Sequence, residues 1–267
     1  MNTLKALHRI SHRFLYGRPA RNRLTVFDDD IFIVSYPKSG NTWVRFLLAK
    51  AILGANATWH TIDEVVPDIY RMSDKQLLNV RRPRIIKSHH SYDHRYKKVI
   101  YIVRNPEDVL VSYFYFHLKF QSKKYFEDME SFDKFTNDFV TGKLDDFGTW
   151  GDNVTGWINS SENNSNILIL RYEDIVKYPK NELSHMLNFL GIDPDNSIIE
   201  DALNWGSKSN MAKLESTEPN APLFSNSNLS YKFISSDQEK KSRFPLTEDQ
   251  KKLLRRSFGE IMDLFRY

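Results

Sequence analysis

The residues best suited to chemistry in this chain lie between an apolar run and a helix-like run. Residues 35–43 read Ser-Tyr-Pro-Lys-Ser-Gly-Asn-Thr-Trp and join the apolar run 31–34 to the run 43–53. This order predicts a strand, a tight loop and a helix start, where unpaired backbone amides and the helix dipole favour an anion. Lys38 adds a full positive charge, and Gly40 permits close approach of the backbone to a ligand. The loop therefore predicts a site for a phosphate or sulfate group.

Two hydroxyl side chains of the same loop, Ser39 and Thr42, are donors of the kind that complete an anion cradle. The loop is not a Walker A motif, because the G-x-x-x-x-G-K-[ST] spacing is absent and Lys38 precedes Gly40. An ordinary ATPase is therefore disfavoured. On this loop alone, an ordinary strand-turn-helix with a chance lysine remains the alternative.

A second group of candidate residues follows the strongest apolar run, 99–103. It begins with Arg104, continues through Asn-Pro-Glu-Asp and reaches Ser112 two turns into a predicted helix. Ligands of open α/β sheets bind at the carboxyl ends of the strands, and a guanidinium presents a planar fork to a phosphate. The group therefore predicts a second anion site. The alternative is an arginine that pairs with Glu107 or Asp108.

The elements that must position these residues follow from the apolar pattern. Four short β-rich runs are separated by helical patterns, which predicts buried parallel strands in an α/β fold: 31–34, 84–89, 99–103 and 167–170. The 267 residues contain no repeat, low-complexity tract or linker, so we expect one domain over 1–267. The polar stretch 206–246 predicts loops or a lid.

Helix boundaries carry their usual signals. Pro179 opens a helical pattern that Gly191 stops, and Thr247 with Gln250 forms a capping box for the last helix. In that helix, apolar residues recur at steps of three and four residues, so we expect one face to pack on the core. They are Leu254, Phe258, Ile261, Met262 and Phe265.

Composition narrows the class of protein. The chain has no cysteine, which excludes thiol catalysis and disulfides and fits a reducing compartment. No apolar run reaches the roughly 18 residues of a membrane span, and the basic extension 1–28 lacks the apolar centre of a signal peptide. A basic arm can bind nucleic acid or a membrane surface, but a solvated helix face is the favoured interpretation. We therefore expect a cytoplasmic protein with neither partner.

Both predicted anion sites resemble one known family. Residues 36–43 are similar to the 5′-phosphosulfate loop of the cytosolic-type sulfotransferases, usually Tyr-Pro-Lys-Ser-Gly-Thr-Thr-Trp, with Asn41 in place of the first threonine. Residues 104–113 are similar to the family's 3′-phosphate motif, Arg-Asn-Pro-x-Asp followed by Val-Ser-Tyr. The resemblance covers residues 30–215. It implies a P-loop-NTPase-like sulfotransferase fold and the sulfuryl donor 3′-phosphoadenosine-5′-phosphosulfate (PAPS), with no metal.

The resemblance also implies which residues bind the nucleotide. Tyr172, in an Arg-Tyr-Glu-Asp segment, matches a tyrosine near the adenine ring, and Trp43 is a further adenine neighbour. Ser207 matches the first residue of a Ser-Phe-x-x-Met segment, although the phenylalanine is missing here. The full set implied is Lys38, Ser39, Gly40, Asn41, Thr42, Trp43, Arg104, Ser112, Tyr172 and Ser207.

The segment Lys87-Ser88-His89-His90 resembles the family's Lys-Thr-His segment, which carries the catalytic base. By register the base is His89, and Lys87 is a supporting electrostatic residue. Histidine suits this task because its ordinary pKa of about 6.5 lets it take a proton near neutral pH. If the strand continues, His89 and His90 point to opposite sides, so only one faces the acceptor. Taken alone, the pair could equally be a loop or metal-ligand coincidence.

The chain departs from the family near its C-terminus. Where the family has Phe-x-Arg-Lys-Gly to grip the 3′-phosphate, this sequence has Phe-Ile-Ser-Ser-Asp at 233–237. The anion thus loses two positive charges and gains a negative one. Three basic residues are near enough in sequence to substitute: Lys240, Lys241 and Arg243. The family's dimer signature is also incomplete, so the sequence leaves the oligomeric state undetermined.

The expected activity is transfer of a sulfuryl group from PAPS to a hydroxyl or amine of a small-molecule acceptor. Two alternatives stay open: an atypical nucleotide kinase, which would need magnesium and a carboxylate, and a nucleotide-binding partner module without turnover. The acceptor is not determined. The aromatic run 113–117 suggests its pocket, and Asp145 with Asp146 would suit a basic substrate, although both features also fit core and surface.

Overall fold

A four-stranded parallel sheet lies at the centre of the protein. The computed structural model describes residues 19–120, 125–193, 195–225 and 227–267. The strands are β1 (Ile31–Ser35), β2 (Ile85–Ser88), β3 (Lys98–Val103) and β4 (Ile167–Arg171), in the spatial order β2-β1-β3-β4. Every pairing is parallel, so the predicted α/β fold with a central parallel sheet is confirmed.

The register of the sheet explains why its strands are continuously apolar. Phe32 lies beside Val99, and the next residue, Ile33, lies beside Ile100. Because successive side chains point to opposite faces, Phe32 and Val99 join one buried cluster while Ile33 and Ile100 join the other. Both faces are covered, as parallel sheets require.

The helices that cover the sheet begin and end largely where the sequence predicts. Thr247 and Gln250 form the predicted capping box, and Leu254, Phe258 and Met262 are buried. The helices of the described residues are α1 (Asn41–Leu53), α2 (Ile62–Val65), α3 (Asp74–Leu77), α4 (Pro106–Lys119), α5 (Met129–Val140), α6 (Trp150–Ser161), α7 (Tyr172–Lys177), α8 (Pro179–Phe189), α9 (Asn196–Trp205), α10 (Lys208–Thr217), α11 (Asp237–Arg243) and α12 (Glu248–Leu264).

The stretch 206–246 differs from the expected loops, because it contains α10 and α11 and is fastened to the core. Buried Lys119 of α4 donates to the carbonyl of Tyr231 at 2.5 Å and pairs with Glu215 at 3.2 Å. The Glu215 carboxylate in turn accepts from the backbone amides of Phe233 and Ile234. A few anchors therefore order a segment whose composition is mostly polar.

The basic N-terminal extension is described only in part, since residues 1–18 lie outside the described residues. From Pro19 onward the chain runs against the body of the protein, where the Ala20 amide donates to the carbonyl of Met72 at 2.8 Å. Arg21 pairs with exposed Asp146 at 3.3 Å. No helix in the described ranges combines the length and the apolar character needed to cross a bilayer.

Candidate active site

The loop after β1 has the form that the sequence predicts. Lys38 has φ 69° and Gly40 has φ 102°, so both adopt the left-handed conformation that makes the turn tight. No side chain caps the start of α1. A Cβ atom at Gly40 would lie 2.4 Å from Cδ2 of Tyr172. Glycine is therefore required both by the backbone angle and by the tyrosine packed against the loop.

The Lys38 side chain lies between two aromatic rings. Its Nζ is 4.4 Å from the ring centre of Phe116 and 4.5 Å from that of Phe233. Burial lowers the pKa of Lys38 well below its ordinary value, and the charges of Lys240 and Arg104 lower it further. A bound anion would raise this pKa again, because it supplies the negative charge that the loop lacks.

Arg104 follows β3 and reaches the same loop. Its Nη1 donates to the carbonyl oxygen of Lys38 at 2.8 Å, and its guanidinium lies 4.3 Å from the ring centre of Tyr172. Its Nη2 pairs with Asp237 at 2.6 Å. The alternative pairing with Glu107 or Asp108 is not observed. The structure thus brings the two predicted anion sites to the same end of the sheet.

Ser112 and Lys240 complete the surroundings of Arg104. Asn105 caps α4, and its side-chain oxygen accepts from the amide of Glu107 at 2.9 Å. Two turns on, buried Ser112 accepts from Nζ of Lys240 at 3.4 Å. Lys240 is 7% exposed. Of the other two substitute cations, Lys241 pairs with Asp108 of the same motif and Arg243 pairs with Glu127.

Buried polar atoms without partners test whether these residues fit a nucleotide. Among the described residues, the buried polar atoms without a hydrogen bond include Nε and Nη2 of Arg104 and Oγ of Ser235, and both residues line the cavity. Because buried donors usually have partners, such atoms mark places where a ligand can supply them. All three lie on segments that surround the predicted anion sites, so the set fits an anionic ligand.

The segment after β2 holds the predicted base. His89 lines the cavity, and its Nδ1 lies 2.7 Å from the carbonyl oxygen of Ser35. Its backbone amide donates to the hydroxyl of Tyr70 at 2.9 Å, and the two rings stack with centres 5.6 Å apart. His90 lies outside the cavity wall, with Nδ1 3.1 Å from the hydroxyl of Tyr96.

The charges next to His89 are paired. Nζ of Lys87 donates to Asp68 at 2.6 Å. Burial lowers the pKa of His89 to about 3, assisted by the charge of Lys87 and opposed by Asp68. Burial pushes the pKa of Asp68 upward, but Lys87, Arg45 and the Tyr70 amide together outweigh it and hold that pKa at about 2. The imidazole is therefore neutral across the physiological pH range.

Tyr172 and Trp43 form an aromatic wall, with ring centres 6.1 Å apart. Trp43 is fixed because its Nε1 donates to the carbonyl of Gly206 at 2.9 Å. Ser207 does not belong to this wall: it caps α10, where its Oγ accepts from the amide of Asn210. The next residue, Lys208, lines the cavity instead.

One cavity of about 660 Å³ connects these groups. Of the residues implied by the resemblance, Ser39 and Ser207 are absent from its wall. Those that line it are Lys38, Gly40, Asn41, Thr42, Trp43, Lys87, His89, Arg104, Ser112 and Tyr172. The described residues include no cluster of three His, Asp or Glu side chains able to hold a metal ion.

The predicted acceptor features divide between wall and core. Tyr113 and Phe116 line the cavity, whereas Phe114 and Tyr115 are buried elsewhere. Asp145 accepts from the hydroxyl of Tyr113 and does not reach the wall. Asp146 pairs with Arg21 at the surface and is also absent from the cavity wall. Asp145 and Asp146 therefore do not offer a carboxylate to a basic substrate in the cavity.

Sequence reasoning missed Asp68, Tyr70 and Phe147, which surround His89. The rings of Tyr70 and Phe147 contact at 5.1 Å, and Phe147 lies 5.5 Å from the His89 ring. These residues come from loops far apart in the chain, and no local spacing marks them. Asp237 was noted only as an added negative charge, whereas the structure makes it the partner of Arg104.

Comparison with known proteins identifies the same family as the motifs do. The family model described as "Sulfotransferase domain" matches residues 28–266. Sulfotransferase 1E1 of Rattus norvegicus is 31% identical over 64% of this chain and 62% of that protein. The amine sulfotransferase of Oryctolagus cuniculus is 29% identical over 69% of this chain and 63% of that protein. The matches thus span somewhat less than two thirds of these relatives.

Solved structures share the architecture. Mouse sulfotransferase SULT7A1 was crystallised with PAP, which is adenosine 3′,5′-bisphosphate. It superposes with a TM-score of 0.69 at 25% identity, covering 91% of this chain and 87% of that one. Retinol dehydratase superposes with a TM-score of 0.73 at 17% identity, covering 91% and 83%, which shows the fold alone. With its phosphate loop, its arginine motif and a family match over nearly its whole length, the chain belongs to the sulfotransferase domain family.

Proposed function

We propose that this chain transfers a sulfuryl group from PAPS to a hydroxyl or amine of a small-molecule acceptor, with His89 as general base. The observation that carries the proposal is the convergence of Lys38, Arg104 and His89 on one cavity. Two cationic groups suit the two ends of a bisphosphorylated nucleotide, and a neutral imidazole suits an acceptor proton. The PAP bound to the mouse relative supports the choice of nucleotide.

The tautomer of His89 supports its role. A carbonyl oxygen only accepts, so Nδ1 of His89 carries the hydrogen that is donated to Ser35. In the neutral ring the lone pair is then on Nε2, which takes the acceptor proton. Tyr70 and Phe147 pack on the ring and hold its orientation.

Lys38 and the loop stabilise the negative charge that grows on the leaving side. PAPS, when bound, supplies the activated sulfuryl group. The ammonium of Lys38 and the uncapped amides at the start of α1 are fixed before the reaction, so they need no rearrangement as charge develops. Arg104 and Ser112 hold the other end of the nucleotide, and Trp43 with Tyr172 supplies flat apolar surface for a base.

The character of the acceptor is constrained by charge. Each carboxylate on the cavity wall is already paired with a cation: Asp63 with Arg45 and Arg71, Asp68 with Lys87, and Asp237 with Arg104. Tyr70, Phe147 and Phe116 offer aromatic surface near His89 and Lys38. An acceptor that enters uncharged suits this wall better than a cation.

One titration separates the proposal from its alternatives. The protein is incubated with ³⁵S-labelled PAPS and a panel of phenols, alcohols and neutral amines, with magnesium or with EDTA, and labelled product is counted. We expect transfer in EDTA. A parallel incubation with γ-³²P-labelled ATP reports the atypical kinase, which would label product only with magnesium, and tight binding without any turnover would favour the partner module. Metal independence and the cytoplasmic location stay predictions.

A further inference from the structure

Arg104 already holds a carboxylate where the proposed function requires a phosphate. Its side chain is 5% exposed, and Nη1 is fixed to the carbonyl of Lys38 at 2.8 Å. Nη2 pairs with Asp237 at 2.6 Å. Nε and Nη2 form no hydrogen bond, so the contact of Nη2 with Asp237 is an ion pair only. A phosphate that binds the guanidinium through Nε and Nη2 must displace Asp237 from Nη2 or lie beside its like charge.

Lys240 is the second element of this arrangement. It lies one turn after Asp237 on α11, is 7% exposed, and approaches Oγ of Ser112 at 3.4 Å. Among the described residues no carboxylate lies within ion-pair distance of its Nζ. Burial lowers the pKa of Lys240 to about 8. A buried ammonium without a paired anion is stabilised when an anion arrives.

We propose that Asp237 competes with the 3′-phosphate of the nucleotide for Arg104, and that Lys240 with Ser112 supplies the positive half of that subsite. This inference rests on the proposed function and names the residues that replace the missing Arg-Lys-Gly segment. The Asp237 side chain is 41% exposed, so it can turn toward water when the phosphate binds. Lys240, in contrast, is enclosed and stays in place.

The consequence is that this chain recognises the 3′-phosphate without the Arg-Lys-Gly segment. A nucleotide that lacks the 3′-phosphate leaves the Arg104–Asp237 pair intact and gains nothing from Lys240. A nucleotide that carries it breaks one ion pair and gains contacts with Arg104, Lys240 and Ser112. Asp237 thus sets how strongly the 3′-phosphate is bound, and Lys240 sets whether it is recognised.

The first test changes the charge of Asp237. Binding of adenosine 3′,5′-bisphosphate and of 5′-AMP to the full chain is measured by isothermal titration calorimetry for the wild type, Asp237→Asn and Glu239→Gln. Glu239 is the matched control, since it is exposed on the same helix and lies off the cavity wall. We expect Asp237→Asn to bind the bisphosphate at least fivefold more tightly and 5′-AMP within twofold of wild type. Unchanged or weaker bisphosphate binding, or an equal gain in Glu239→Gln, overturns the competition.

The second test removes the charge of Lys240. In Lys240→Met we expect at least tenfold weaker binding of the bisphosphate and unchanged binding of 5′-AMP. The control is Lys241→Met, because Lys241 pairs with Asp108 and does not line the cavity. Thermal unfolding shows which variants are folded. If Lys240→Met does not fold, the binding result for Asp237→Asn tests the proposed subsite. Equal losses for both nucleotides, or none, overturn the role of Lys240.

A wrong proposed function and a wrong role for Asp237 and Lys240 give different binding results. If the wild type binds the bisphosphate no more tightly than 5′-AMP, both the 3′-phosphate subsite and the proposed function are wrong. If the wild type prefers the bisphosphate and transfers sulfate, while Asp237→Asn and Lys240→Met match their controls, only the inference about these two residues is wrong.

Discussion

Nδ1 of His89 lies 2.7 Å from the carbonyl oxygen of Ser35, the last residue of β1. The same residue opens the loop that carries Lys38. One strand end therefore orients both the proposed base and the anion-binding loop, and their separation is set by the sheet instead of by a flexible connection. This arrangement is what proposed catalysis needs, because small displacements of reacting groups are costly.

Replacing the two histidines one at a time tests which is the base. We expect His89→Ala to lower kcat by about 100-fold or more, the typical contribution of a positioned acid or base, while the fold is retained. His90→Ala is the matched control, because its ring lies outside the cavity wall and contacts Tyr96. Steady-state assay with PAPS and a phenol measures both. Retained activity in His89→Ala together with loss in His90→Ala would contradict the assignment.

The low pKa of His89 predicts an unusual pH profile. An ordinary histidine base loses activity as the pH falls through 6.5, whereas the pKa of His89 is about 3 in the free protein. We therefore expect kcat/KM to show no acid limb between pH 5 and 7 when the acceptor does not titrate there. An acid limb near pH 6.5 that disappears only when His89 is replaced would show that His89 titrates normally.

The same shift affects stability. Between pH 3 and 6.5 the unfolded chain binds a proton at His89 and the folded chain does not, so the free energy of unfolding falls as the pH falls through this window. Replacement by the isosteric neutral asparagine should make this slope shallower. Urea unfolding at a series of pH values measures it.

Replacing Lys38 should lower kcat, whereas replacing Arg104 should weaken nucleotide binding. Lys38→Ala removes charge from the leaving side, so we expect kcat to fall by about 100-fold. Arg104→Ala should chiefly weaken binding of adenosine 3′,5′-bisphosphate. Exposed Lys213 provides a control for loss of a lysine, and we expect Lys213→Ala to change neither quantity. Unchanged nucleotide affinity in Arg104→Ala would refute its role.

Two glycines separate backbone strain from steric exclusion. Both have positive φ, 102° at Gly40 and 62° at Gly54, so alanine strains either position by about 1–2 kcal/mol. Only at Gly40 would the new Cβ meet Tyr172, at 2.4 Å, while nothing lies within 4 Å at Gly54. We expect Gly40→Ala to lose nucleotide binding and Gly54→Ala to keep it. Calorimetric titration of both variants gives the answer, and equal affinities would rule out the contact.

Two adjacent aspartates test the buried ion pair between Asp30 and Arg84, the residues that come just before β1 and β2. Asp30 and Arg84 are wholly buried and paired at 2.5 Å, whereas Asp29 pairs with Arg82 at the surface. Asp30→Asn leaves a buried guanidinium without its partner, so we expect the free energy of unfolding to fall by about 3–5 kcal/mol. Asp29→Asn should have a much smaller effect. Urea unfolding compares them, and equal losses would contradict the burial argument.

The parts of the fold that the sequence predicted well are those that depend on local pattern. The four apolar runs became parallel strands, the capping box at Thr247 begins α12, and the loop at Lys38 joins strand to helix. Local preference failed over 206–246, where Glu215 and Lys119 order a polar stretch through contacts with distant backbone. The two residues of each contact are too far apart in the chain for a local sequence pattern to reveal the contact.

The sequence by itself determined the family, the two anion motifs and the identity of the groups able to do chemistry. The reason is that the residues of each motif are close in the chain and lie on one strand-loop-helix unit. Only the tertiary structure decided that His89 and not His90 lines the cavity, that Asp68 neutralises Lys87, and that Asp237 occupies Arg104. Each of these depends on electrostatic and packing contacts between segments far apart in sequence, and such contacts exist only once the sheet has brought its strand ends together.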